Sequence, residues 1–181
     1  MSLTPTLGST LALYRKLERE RYRAFHHRNR LHKADHFYNF CVTAHAMRDY
    51  YIKETGTPKS EFHERLNRVR VLVAVRDIAN SSKHFKLDNA PPTKRVRPGK
   101  SELLDVYLDD RGEVVLNSVA VPEYFVTLAD GTRYDLCAFM ESVLHVWRVI
   151  LTKGGFRVRR QSFNQLYGAV GSGAVLSEAK R

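Results

Sequence analysis

Phe37, Phe40, Cys41, Ala44, Met47 and Tyr51 recur at intervals of three and four residues. This spacing draws an apolar stripe down one side of a helix, because residues so spaced share a helical face. Gly56-Thr57-Pro58 then supplies a stop. A second stripe, Leu136, Phe139, Met140, Val143, Leu144, Trp147 and Leu151, starts behind Asp135 as N-cap and ends at Gly154-Gly155. Faces this wide must be covered by other helices, which points to a mainly α fold built as a helical bundle. Two further helices are predicted. One starts at Ser9 or Thr10 and runs to about His27, with Leu11, Tyr14, Leu17, Tyr22 and Phe25 on one side and Arg15, Lys16, Arg19 and Arg23 outside. The other starts at Ser60, with Glu61 and Glu64 in its first turn, and runs to about Lys83, with Val69 to Val75 buried. Within it, Arg68-Val69-Arg70-Val71 alternates as a strand also would.

Between the third and last helices the period changes. Residues 86–101, with Pro91-Pro92, Lys94-Arg95, Arg97 and Pro98-Gly99-Lys100, read as an exposed basic loop suited to mobility. Leu104, Val106 and Leu108, then Asp109 to Gly112, then Val114-Val115-Leu116, read as a hairpin. A turn at Ala129-Asp130-Gly131 joins 124–128 to 132–134, for three or four short antiparallel strands in all. The expected organisation is a single helical domain over 9–155 with a β insertion at about 103–135. A basic, partly flexible tail follows over 156–181.

A length of 181 residues with 43% hydrophobic content is enough for one buried core. The formal charge of +11 favours polyanionic partners without specifying a fold. Two cysteines, Cys41 and Cys137, both in apolar segments, argue against a disulfide framework and for a reducing, cytoplasmic setting. Neither a secretory leader nor a membrane span is expected.

Arg76, Asn80 and His84 stand four residues apart and form one polar row if the segment is helical. A cation, an amide and an imidazole in a row suit phosphate recognition and proton transfer at neutral pH. The structural alternative has Asn80 and His84 capping the helix end and Arg76 paired with Asp77 or another acid. Asp35, His36, Asn39 and Thr43 offer a polar seam toward that row, or simply a solvated helix face. His32 and His36 share a face, but no zinc signature accompanies them and no metal or cofactor is expected. A phosphate-binding glycine loop is missing, and apolar surroundings leave both thiols inert. Lys83, Lys94, Arg95, Arg97 and Lys100, with Arg157, Arg159 and Arg160, interleave cations with apolar residues and are the expected nucleic-acid contacts.

The run Ala34-Asp35-His36-Phe37-Tyr38-Asn39-Phe40-Cys41-Val42-Thr43-Ala44-His45, then Met47-Arg48-Asp49-Tyr50, then Asp77-Ile78-Ala79-Asn80-Ser81-Ser82-Lys83-His84, resembles bacterial and phage proteins similar to HEPN domains. The resemblance covers roughly 34–84 and extends to the Trp147 helix. It implies a small helical bundle, often a homodimer, and a metal-independent ribonuclease with an arginine and a histidine near the end of a core helix. Toxin or phage-defence roles follow from the resemblance alone. Seven residues separate Arg76 from His84, against four to six in the family motif; Arg21 with His26 and Arg30 with His36 fit that interval better. On this reading Arg76, Asn80 and His84 are the catalytic set and RNA is the partner. The alternative is a non-catalytic dimeric interaction module that binds nucleic acid or an acidic protein through its basic loops.

Overall fold

The computed structural model describes residues 7–81, 93–108, 114–128 and 130–159. Over 93–123 it describes the backbone and the exposure of Val96 alone. Among these residues the chain forms α1 (Thr10–His26), α2 (Arg30–Thr55), α3 (Lys59–Asn67), α4 (Arg70–Ser81), β1 (Thr93–Leu108), β2 (Val114–Leu128), β3 (Arg133–Asp135) and α5 (Leu136–Lys153). The fold is mainly helical with a small sheet in the order β1-β2-β3, in which β2 and β3 run antiparallel with Val126 opposite Tyr134. Described residues up to Arg97 and from Tyr124 to Val158 make one compact unit; Pro98–Glu123 and Arg159 belong to a second.

Side-chain caps set the helix starts. Ser9 accepts a hydrogen bond from the Ala12 amide at 3.1 Å, and Asn29 accepts from Leu31 and His32. Asp135 accepts from the Ala138 amide at 2.7 Å. Each satisfies amides that lack an intrahelical acceptor. α2 ends at Gly56, whose φ of 67° is the left-handed conformation that glycine adopts without steric penalty.

Both stripes read from the sequence are buried. Phe40, Cys41, Met47, Phe139, Met140, Val143, Trp147 and Leu151 are all 1% exposed or less, and Tyr14 and Leu17 of α1 join them. Aromatic contacts tie the helices together. Tyr51 stacks on Phe62 at 4.5 Å and 10°, Phe62 lies 6.5 Å from Trp147, and Phe37 meets Phe139 edge-on at 5.9 Å. The α1 face is narrower than expected, because Phe25 is 47% exposed while Leu13 turns inward.

Three segments depart from the sequence expectation. The helix expected from Ser60 to Lys83 breaks into α3 and α4 at Arg68–Val69, where the Arg68 and Val69 amides bond back to Arg65 and Leu66 in a tight turn. The buried positions explain the break: Phe62 and Leu66 are in phase, but the next buried residue is Val71, five positions on. A continuous helix would carry Val71 off the buried face, so the chain re-registers and starts again. The basic stretch expected to be loop through Lys100 is strand from Thr93 onward, so Lys94, Arg95, Arg97 and Lys100 lie on β1. Val114 to Leu128 is one strand rather than two.

Candidate functional site

Arg76 projects from the middle of α4 between buried stretches: Val71, Leu72, Ala74 and Val75 before it are buried, and so are Asp77, Ile78 and Ala79 after it, so the helix does not emerge from the core at Arg76 as the sequence suggested. Its guanidinium donates to Asp77 Oδ1 from Nε at 3.2 Å and Nη2 at 3.1 Å, and from Nη1 to Asn67 Oδ1 at 2.9 Å. The Asp77 side chain is 8% exposed and that of Arg76 32%. All three guanidinium nitrogens of Arg76 therefore donate within the protein, while a third of its side-chain surface stays open. Asn80 follows one turn later and is half-buried. Lys83 and His84 lie outside the described residues, as does Arg160. Lys94, Arg95, Arg97 and Lys100 are placed on β1 by their backbone alone. Arg157 and Arg159 are exposed.

The structure sets Arg76 in a surroundings that the linear sequence did not indicate. It lines a cleft of about 110 Å³ together with His45 and Arg48 of α2, His63 and Asn67 of α3, and Trp147 of α5. Apolar residues from the same four helices make its floor, including Leu66, Leu72 and Val75. Among the lining residues there is no carboxylate, and the polar ones are rich in N–H donors. Arg48 Nε, His63 Nε2 and Trp147 Nε1 are buried without a hydrogen-bond partner. Arg48 Nε lies 3.4 Å from the exposed Asp49 carboxylate, an ion-pair distance without hydrogen-bond geometry. Burial, with Arg48 and Lys59 adding to it, holds the His63 imidazole below its ordinary pKa, so it is neutral at pH 7.

Arg48 and His63 escaped the sequence reading because each sits beside a core residue rather than in a polar row. His45 and Arg48 flank Ala44 and Met47, and His63 follows Phe62. The packing of α2, α3 and α4 around one cleft brings them together with Arg76.

The polar seam on α2 faces α1 instead. His36 Nδ1 lies 3.0 Å from Glu20, itself 4% exposed, and Thr43 accepts from Lys16 Nζ at 2.6 Å; Asp35 and Asn39 are exposed. His27 Nε2 lies 3.1 Å from His32 Nδ1, and no group of three or more metal-ligating side chains suited to an ion occurs among the described residues. Of the better-spaced pairs, Arg21 is bound to Glu141 and His26 packs on Tyr22 at 4.1 Å. Burial raises the Cys41 thiol far above its ordinary range and also raises Cys137. No described helix is long and apolar enough to cross a membrane.

Comparison with family models, curated proteins and solved structures finds no match to this chain.

Proposed function

We propose that this chain binds RNA, with its phosphodiester backbone entering the cleft beside Arg76, and that it cleaves the bound strand without a metal ion. The observation that supports this most is the gathering of Arg76, Arg48, His45 and His63 from three helices around one opening lined by no carboxylate. Two guanidinium groups suit the charge that builds on phosphoryl oxygens during attack by a neighbouring 2′-hydroxyl. Proton transfer falls to His84, three positions beyond the last described residue of α4, with Asn80 of α4 orienting the phosphate or the imidazole. The net charge of +11 draws the polyanion in, with Lys83, Lys94, Arg95, Arg97, Lys100, Arg157, Arg159 and Arg160 as backbone contacts. The HEPN-like resemblance adds a homodimer, which would present two copies of the cleft, and a toxin or phage-defence setting in the cytoplasm.

A second reading draws on the Arg76 contacts themselves. Because Asp77 and Asn67 already hold that guanidinium, this reading makes the row structural and the protein a non-catalytic module that recruits RNA or an acidic protein. Fluorescence anisotropy with a labelled RNA of about 20 nucleotides tests whether the cleft is the interface, and product analysis of the same RNA separates cleavage from recruitment. The RNA reading predicts binding that weakens steeply with salt and drops by about tenfold in Arg76→Ala and Arg48→Ala. Binding unchanged in both folded variants would move the interface away from the cleft.

A further inference from the structure

Three side chains that line the cleft each carry a buried nitrogen with no hydrogen-bond partner among the described residues. A buried N–H without an acceptor costs about 1–3 kcal/mol, so single cases are uncommon and a group of them calls for a partner. Arg48, His63 and Trp147 each have an unpartnered buried ring or guanidinium nitrogen, come from three different helices, and border the same space. Trp147 is 1% exposed and its indole nitrogen can only donate. The Arg48 side chain is 28% exposed. The Asn67 side-chain oxygen accepts from Arg76 and makes no hydrogen bond to any of the three nitrogens. Among the described residues no side chain fills this role, and two guanidinium groups at one opening favour a negatively charged acceptor. The cleft volume of about 110 Å³ exceeds the ~10–15 Å³ that one water needs on the same measure, leaving room for a small tetrahedral ion.

We propose that this cleft is a binding site for one tetrahedral oxyanion, phosphate in chemical class, held by Arg48, His63 and Trp147 with Arg76 at its mouth. The proposal deepens the RNA reading and rests on the same cleft, and the group is either free inorganic phosphate or a backbone or terminal phosphate of a nucleic acid, displacement by RNA whatever its end marking the backbone. The guanidinium of Arg48 supplies charge and paired donors, the neutral imidazole of His63 supplies one N–H, and the indole supplies one more.

Trp147 is the only tryptophan in the chain, so its emission reports directly on the site. The experiment titrates the full chain with inorganic phosphate at constant ionic strength, with chloride as control, following Trp147 fluorescence and the heat of binding. Wild type is expected to show saturable binding by both readouts, with no response to chloride. Arg48→Met is expected to bind at least about tenfold more weakly, as loss of a charge-assisted contact implies. Trp147→Phe, read by heat alone, keeps the ring and loses the donor, and is expected to weaken binding severalfold. Lys53→Ala, an exposed change at the end of α2, is expected to leave binding unaltered. Absence of saturable binding in the millimolar range, an equal response to chloride, or equal affinity in folded Arg48→Met would overturn the proposal.

Competition identifies the source. A short RNA ending in a 3′-phosphate that displaces inorganic phosphate, where its dephosphorylated form does not, assigns the site to nucleic-acid ends. Phosphate binding without displacement by either RNA keeps the oxyanion site as one for the free ion and removes the RNA reading from this cleft. RNA binding without any phosphate site does the reverse.

Discussion

Replacing Gly154 with alanine sets two effects of opposite sign against each other. Gly154 has φ of −81°, a conformation open to any residue, so alanine adds no backbone strain there and stiffens the unfolded chain, a gain of about 0.4–1 kcal/mol. The added methyl carbon, however, would sit 2.6 Å from the Tyr51 hydroxyl oxygen and 2.9 and 3.1 Å from its ring carbons. Tyr51 is 5% exposed and cannot swing away, because it is stacked on Phe62 at 4.5 Å, with Trp147 6.5 Å beyond Phe62. Overpacking of this kind costs about 1–3 kcal/mol, so the clash wins and the net destabilisation is about 1–2 kcal/mol. For a chain of this size that lowers the melting temperature by about 2–8 °C. Guanidinium unfolding, followed by far-ultraviolet circular dichroism, measures the change. Adding Tyr51→Phe removes the 2.6 Å contact and leaves the two ring contacts, so the double variant should recover part of the loss. A stabilised Gly154→Ala, or a double variant no better than the single one, would show that the close approach of Tyr51 is not why glycine stands at this position.

Other perturbations probe the caps, the cleft and the titrating groups. Asp135→Ala removes the acceptor of the Ala138 amide at the start of α5 and should cost about 1 kcal/mol in the same unfolding assay. Asp77→Asn withdraws the charge that holds Arg76 Nε and Nη2, and should destabilise the fold by about 1–2 kcal/mol while tightening RNA binding severalfold, as measured by anisotropy. Weakening of binding equal to that of Arg76→Ala would instead make Asp77 the residue that positions Arg76. His63 is held below its ordinary pKa of 6.5 mainly by burial, so below about pH 6.5 the unfolded chain takes up a proton that the folded chain resists. Stability should therefore fall from pH 7.5 to 5.5, and His63→Gln should flatten that slope in guanidinium midpoints taken at the two values.

The helices were legible where a single periodic stripe runs between an evident start and stop. α5 shows this best: every residue of its predicted face is buried, Asp135 caps it, and its C-cap is Gly154. What the pattern conceals is why the glycines are there, since Gly155 takes the positive φ of 83° while Gly154 makes room for Tyr51. The split between α3 and α4 left a trace in the five-residue step from Leu66 to Val71, but Val69 and Val73 filled the gap and preserved the look of one helix. β1 was hidden because Pro98-Gly99 and dense charge resemble a loop, whereas the strand backbone continues through them. Arg76 was legible as a functional candidate because it ends an apolar run. Its cleft partners were not, because Arg48, His63 and Trp147 come from three helices whose packing no local pattern encodes.

The most direct test of the account is cleavage of labelled total RNA and transfer RNA by the purified protein in the presence of a chelator. Wild type is compared with Arg76→Ala, Arg48→Ala and His84→Ala after each is shown to fold. The account predicts cleavage by wild type that leaves 2′,3′-cyclic phosphate ends and is lost in His84→Ala and strongly reduced in both arginine variants. An intact RNA pool with wild type, or cleavage that persists unchanged in the folded variants, would contradict it.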